Sequence, residues 1–426
     1  MLAFGLALTL FVTLLFGLAP ALRASGVKPA SALKGGDDPH SRRRLMHLLI
    51  GAQVAFCFLV LFVTGLFVVT LDRLSSRPTG FVAERLLAVD TVAQGPQSAV
   101  VWDQLADKLR TLPGVQNVVV AGATLLGGNS WNGFVSVDGA PPGPVLAYFL
   151  STSPGFLDVM KLPLIEGNDF RRDDTSPGVA LISEEFARVF FNGVRPIGRT
   201  FAKGNASYRV IGVVRDAPYR HIRESILPVA YVPIHSLGAD GALTPRQSST
   251  FLIRTAGENP LTLAGTLRRE IPRARPEFRV SNVRSQSEIV QGQTVRERLL
   301  AILAMFFAAV ALLLAGIGLY GVLDHSVLQR RREIGIRVAI GAPAGDIARR
   351  VTASVFRMVL IGAVSGIGLG VVLVRYVESL LYDVKGTSIA MLILPAVAIV
   401  TAALLASIPA VVRALRIDAI AMLRSD

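Results

Sequence analysis

The chain has 426 residues, 52% of them apolar and 17% charged, with a mean hydropathy of +0.53. Ordinary soluble domains are less apolar, so the composition points to a membrane protein. The net charge of +14 suits nucleic acid or basic cytosolic loops, and the position of the charge separates the two. The single cysteine, Cys57, lies in an apolar run, which excludes an intramolecular disulfide and a cysteine-based metal site.

In chain order, the apolar runs 1–22, 45–71, 299–323 and 389–412 are each long enough to cross a bilayer, which takes about 20 residues. A shorter run, 358–374, extends at both ends. The first run lacks a basic n-region and a small-residue cleavage site, so it reads as a span rather than a signal peptide. The expected fold is therefore an α-helical multi-pass membrane protein of about five spans. Basic residues fall in three short segments: Arg23, Lys28, Lys34, Arg42, Arg43 and Arg44; then Arg330, Arg331, Arg332, Arg337, Arg349 and Arg350; then Arg413, Arg416 and Arg424. The loop 377–388 has only Lys385. Alternating spans put all three basic segments in the cytosol, with the C-terminus, and put 72–297 outside. Charge that borders spans, with no recognised binding motif, excludes nucleic acid as partner.

Residues 72–297 mix both element types and predict an α+β domain between two spans. "FVSVDG" (134–139) alternates as a half-buried strand does. Residues 179–182 read as a strand, followed by a helix with Ser183 at its N-cap. Strands are expected at 208–216, 230–234 and 251–257, and a helix from about Leu261.

"QRRREIGIRVAIGA" (329–342) follows the second long run of the C-terminal part. The helix should continue past the membrane into it. Ile334 and Val338, and Ile336 and Ile340, are i,i+4 pairs on different sides of one helix. A short helix apolar on two sides needs two surfaces to bury against. Gly341 can stop it, and Pro343 suits the first turn of the next helix. Glu333 and Arg337 form a stabilising i,i+4 pair. The residues alone leave two readings: docking on a cytosolic partner, or an amphipathic anchor in the interface. Gly362, Gly366 and Gly370 make two overlapping GxxxG steps, for packing within the subunit or for a dimer contact. Pro395 and Pro409 lie in the last span. No acid sits in mid-membrane, against an ion-coupled carrier.

Enzymatic chemistry finds little support. There is no GxxxxGK[ST], so no P-loop ATP site. His221 and His235 show no carboxylate partner in sequence, and no metal or cofactor is expected. Ser130 lacks the GxSxG spacing. "DFRRDD" (169–174) reads as a charged turn. Trp131, Phe134, Tyr148 and Phe149 could line an apolar ligand surface, though core is the commoner use.

The ends repeat. "PALRASGVKPASALK" (20–34) aligns without gaps to "AVVRALRIDAIAMLR" (410–424), sharing Arg23/Arg413, Ala24/Ala414 and Leu33/Leu423. Two readings stand: any exit from a span is basic and alanine-rich, or the chain carries a duplicated unit. The expected domains are then a leftover span of a preceding copy plus cytosolic linker (1–44), a first helix (45–71), the outer domain (72–297) and a three-helix permease domain (298–426) with a coupling segment at 329–350.

"RRREIGIRVAIGA" resembles the signature between the second and third spans of MacB/FtsX-type ABC transporter permeases. "SPGFLDVMKLPLIEGNDF" (153–170), "VALISEEFARVFF" (179–191), "PIGRTF" (196–201) and "VIGVVRDAPYRHI" (210–222) resemble their periplasmic domain. The repeat is similar to that of the duplicated orphan permeases of acidobacteria, of which this chain looks like the C-terminal half. The resemblance implies a bacterial inner-membrane permease subunit with no enzyme activity of its own. It implies a separate cytosolic ABC ATPase that binds ATP, and a homodimer or pairing with a second permease unit. It implies ATP-driven motion passed to the periplasmic domain (mechanotransmission), for export. It places ATPase coupling on Arg332, Glu333, Ile334, Gly335, Ile336, Arg337, Val338, Ile340 and Gly341. The alternative is a membrane-anchored periplasmic sensor or scaffold without an ATPase.

Overall fold

The computed structural model describes residues 39–238, 240–329, 331–340, 343–377, 381–382 and 389–415. The predicted span 1–22 and most of both repeat arms lie outside these. Four helices among the described residues are long and apolar enough to cross a membrane: Leu48–Ser75, Val295–Gln329, Val355–Tyr376 and Met391–Leu415. A large α/β domain lies between the first and second of them. The chain forms two compact units, one of Met1–Gly65, Ala304–Tyr376 and Gly386–Asp426, the other of Leu66–Leu303 and Val377–Lys385.

The first helix, α1, covers Pro39–Ser75. The inserted domain then opens with β1 (Leu86–Gln97), α2 (Ala99–Arg110) and β2 (Val115–Ala121). Trp102, Leu105, Ala106 and Leu109 are the buried residues at helical spacing that seat α2. Next come β3 (Asn132–Phe134), β4 (Ser136–Val137), β5 (Leu146–Thr152), α3 (Phe156–Met160) and β6 (Leu164–Gly167). The single strand expected at 134–139 is thus two short ones. Asp138 and Gly139 both take positive φ, 51° and 78°, and turn the chain before a longer strand can form.

β7 (Gly178–Ser183) runs into α4 (Glu184–Phe191). Ser183 caps it as the sequence predicts, its Oγ accepting from Phe186 N at 3.2 Å. Then follow β8 (Thr200–Lys203), β9 (Ala206–Val214), β10 (Val229–Pro233) and β11 (Arg246–Thr255). The strand expected at 251–257 starts five residues earlier, because polar residues 246–250 pair with β1 without an apolar pattern to announce them. The helix expected from Leu261 begins as a 3₁₀ turn, Pro260–Leu263, and continues as α5 (Ala264–Ala274). β12 (Phe278–Ser285) and α6 (Gln286–Gly292), with a full capping box at Ser285, complete the domain.

The strands form one sheet ordered β12-β1-β11-β2-β5-β10-β7-β9-β8-β4, with β3 added to β5 and β6 to β9. Pairs β5–β10 and β7–β9 are parallel; the others are antiparallel. The sheet is narrow at its middle, where β2 and β5 share only Ala121 opposite Thr152. Period-2 alternation sorts its side chains. Val119, Leu252 and Tyr231 point to a core shared by both halves. Val118, Phe251 and Ile253 join Trp102 under α2 and α5, and Ala230 and Val232 join Phe186 under α4.

The chain then forms α7 (Val295–Gln329), α8 (Arg331–Ala339), α9 (Ala344–Val377) and α10 (Ile389–Leu415), which contains both Pro395 and Pro409. Thr64 Oγ1 on α1 lies 3.0 Å from Ala304 O on α7, a polar tie between antiparallel spans. Arg413 on α10 makes an ion pair with Asp324 on α7.

Candidate coupling site

α8 is a short helix tied in sequence to two spans. Ile334 is buried at 8% exposure, and Gly335 is buried beside it. Ile336 and Ile340 are exposed at 49% and 81%. So the two apolar sides of this helix have different environments: one rests against the subunit, near α10, and the other is bare. The exposed edge is short, and Ile340 N still bonds to Ile336 O at 3.1 Å. Glu333 is exposed. The side chains of Arg332, Arg337 and Val338, and all of Gly341, lie outside the described residues. α9 opens with Asp346 N bonded to Pro343 O at 3.0 Å, and Asp346 pairs with Arg349 at 3.4 Å. An acid in the first turn of a helix offsets its dipole.

Gly362, Gly366 and Gly370 lie against α1 of the same chain. A Cβ at Gly362 would stand 2.7 Å from Val54 Cβ and 2.9 Å from Gly51 O. One at Gly366 would stand 2.7 Å from Phe58 Cβ, and one at Gly370 3.2 Å from Phe62 Cδ1. Each glycine receives one residue of the 54, 58, 62 row, so the two helices run parallel with their backbones close.

A second group of residues escapes sequence reasoning. Arg223, in the loop before β10, donates from Nη1 to Glu297 Oε1 at 3.1 Å and from Nη2 to Leu381 O at 2.9 Å. Glu297 opens α7 and is buried, and Leu381 belongs to the turn between α9 and α10. Arg77 lies over the Tyr382 ring, 5.6 Å from its centroid, and donates to Glu224 O at 2.8 Å. Two arginines therefore hold residues 381–382 against the inserted domain, within one compact unit. Those partners are 158 residues apart for Arg223 and Leu381, and no local pattern announces them.

The chemical candidates resolve differently. His235, read as lacking a carboxylate, has one: its Nε2 lies 2.6 Å from Asp103 Oδ2, across 132 residues of chain. That bond holds the imidazole pKa above its ordinary value. His221 Nδ1 meets Gln293 Oε1 at 3.2 Å. Asp169 accepts from Phe170 N at 2.7 Å and Gly155 N at 3.3 Å, closing a turn, and burial raises its pKa. Tyr148 and Phe149 are core, whereas Trp131 and Phe134 are exposed at 38% and 52%. Among the described residues no three of His, Cys, Asp and Glu gather as metal ligands would.

Residues 52–269 match the MacB-like periplasmic core domain, and residues 305–419 match the FtsX-like permease C-terminal domain. The chain belongs to the MacB/FtsX family of ABC permeases. It is a multi-pass membrane protein with a periplasmic MacB-like domain. Among curated relatives, it is 26% identical over 238 residues to the pyoverdine export ATP-binding/permease protein of Pseudomonas aeruginosa, covering 52% of this chain and 34% of that one. It is 26% identical over 247 residues to the macrolide export ATP-binding/permease protein of Marinobacter nauticus, covering 58% and 37%. The matches therefore span little more than a third of those relatives' length. Among solved structures, the periplasmic region of MacB from Actinobacillus actinomycetemcomitans is 16% identical, covers 52% of this chain and 97% of that one, and superposes with a TM-score of 0.36. The relatives' names join ATP-binding and permease functions in one chain, and the two matched domains here are both permease domains.

Proposed function

We propose that this chain is the permease subunit of a mechanotransmission-type ABC exporter in the bacterial inner membrane. A cytosolic ATPase on another chain docks on α8 and supplies all ATP chemistry. The observation that carries this is the bare apolar edge of α8, Ile336 and Ile340, on a short helix joined at both ends to spans. Exposed isoleucines on the basic, cytosolic side have a reason to persist if a partner covers them. The relatives' ATP-binding/permease names supply the class of that partner. The working unit pairs two permease units around two ATPases, either as a homodimer or with a second permease, within membrane lipid. The end-to-end repeat supports the duplicated branch of the family.

Motion at α8 has a route to the periplasm. α8 is adjacent in sequence to α7 and α9. The α9–α10 turn, and the start of α7, are the segments that Arg223 holds. The export reading rests on that direction of force, not on a pore.

The test is a mild-detergent pull-down of the tagged protein from its host, with a vanadate-sensitive ATPase assay. A stoichiometric P-loop ATPase is expected with the wild type. The Ile336→Asp, Ile340→Asp double variant, changed on the exposed edge alone, should insert normally and lose it. Ile334→Asp serves as contrast: a buried charge there should destabilise the subunit itself. Normal ATPase co-purification with the double variant sinks the docking reading. A clean wild-type preparation with no ATPase favours the sensor or scaffold.

A further inference from the structure

The narrow joint of the periplasmic sheet carries a cavity of about 380 Å³. Its walls include Trp131, Ser151, Ser236, Thr244, Arg246 and Ser248. None of its lining residues is acidic. Arg246 is the single charged residue among them. Its Nη2 donates to Ser151 Oγ at 3.0 Å, while its Nη1 is shut off from solvent and has no hydrogen-bond partner. The guanidinium charge is desolvated and is answered by one hydroxyl. That is an expensive arrangement for a guanidinium, and a carboxylate in the cavity would offset its charge. Lys203 adds to the imbalance: its Nζ sits 4.6 Å from the Trp131 ring centroid, behind the cavity wall. Hydroxyls of Ser236, Thr244 and Ser248 offer further donors and acceptors, and the indole offers a flat apolar side.

We propose that this cavity is a binding site for a carboxylate-bearing ligand. The carboxylate supplies the counter-charge that the fold withholds from Arg246. The hydroxyls bind the polar part next to it, and Trp131 covers the apolar part. The site lies on none of the elements assigned to ATPase docking, so it stands or falls separately from that reading. A cavity of this volume takes a small carboxylic acid or the C-terminal residues of a peptide, and both present the same chemistry.

The chain's own tryptophans provide the readout. There are two: Trp102 is fully buried in the core, and Trp131 stands at the cavity. The experiment titrates the full-length protein in lipid nanodiscs with trialanine, with trialanine amide, and with succinate, following tryptophan emission. Trialanine is expected to give a saturable change that the amide does not. Trp131→Phe should abolish the signal. Arg246→Gln should weaken trialanine binding at least tenfold. Ser248→Ala, a gentler change, should weaken it several-fold with an unchanged melting curve. Saturation by succinate marks a small-acid site, and saturation by trialanine alone marks a peptide-terminus site; either supports the proposal. No saturable change with any acid overturns it, as does equal binding of trialanine and its amide, or unaltered binding in a folded Arg246→Gln protein.

Discussion

Gly366→Ala should open the seam between α1 and α9, and the sole cysteine can report it. The added methyl would stand 2.7 Å from Phe58 Cβ and 2.9 Å from its Cγ, closer than any real contact, and both atoms lie near the helix backbone. Phe58 cannot turn away cheaply, since it is fully buried. The helices must separate instead. Overpacking of this kind costs about 1–3 kcal/mol. Replacing a helical glycine by alanine returns up to about 1 kcal/mol of intrinsic preference. The net loss is roughly 1.5 kcal/mol, about tenfold in the equilibrium for local opening. Cys57 lies between Val54 and Phe58 in the sequence and is 1% exposed, so a maleimide reaches it only when the helix opens. Labelling in nanodiscs should therefore run about tenfold faster in Gly366→Ala. Gly362→Ala, which meets Val54 Cβ at the same 2.7 Å, should match it. Gly370→Ala should fall between, because its contact at 3.2 Å is with a ring atom that can tilt. Gly368→Ala is the control, since a Cβ there meets nothing within 4 Å. Wild-type labelling in Gly366→Ala, or equally fast labelling in Gly368→Ala, would show that the glycine row does not hold these helices together.

Arg223→Gln should cost about 3 kcal/mol, because it removes the ion-pair partner of the buried Glu297. Adding Glu297→Gln should recover most of that loss, and a double variant no more stable than the single one would refute the pair. The His235–Asp103 bond makes a pH-dependent contribution. Its imidazole pKa is raised in the fold, so the stability it gives is complete below the unfolded value of about 6.5 and is lost as pH rises through the folded value. Asp103→Ala should therefore lower the thermal midpoint at pH 5.5 and change it little at pH 9. Equal losses at both pH values would mean that the contact is only packing.

Local features were legible where their cause is local. Ser183 announces α4 because a cap needs only its own side chain and the next three residues. Four of the expected spans were legible because a bilayer rewards apolar length, whatever the neighbours. The glycine row was legible as a close-packing face, yet its partner was not. Nothing in residues 362–370 specifies Val54 and Phe58 rather than a second subunit. β11 was read short because residues 246–250 owe their strand state to β1, a partner about 150 residues away, and not to their own polarity pattern. His235 lacked a partner in sequence for the same reason: Asp103 reaches it only after the sheet has formed. The Arg246 cavity has no motif at all, since Trp131, Ser151 and Arg246 come from separate segments and meet at the joint of the sheet.

That pattern bears on the proposed function. Among the described residues, two kinds of contact fasten the long helices of the membrane unit. One is the glycine seam, which leaves α1 and α9 no room to slide past one another. The other is the pair of polar ties from α7, to Thr64 at one end and to Arg413 at the other. A unit fastened in this way resists internal rearrangement and favours movement of its helices together. Under the proposed function, the isoleucine edge on α8 is where an ATPase takes hold of such a body, and Arg77 and Arg223 hold residues 381–382. Neither contact calls for a charged path through the bilayer, and no acid stands in mid-span to make one. Under that proposal work is delivered as displacement, and selectivity rests with the periplasmic domain, whose proposed carboxylate site lies where the sheet is narrowest.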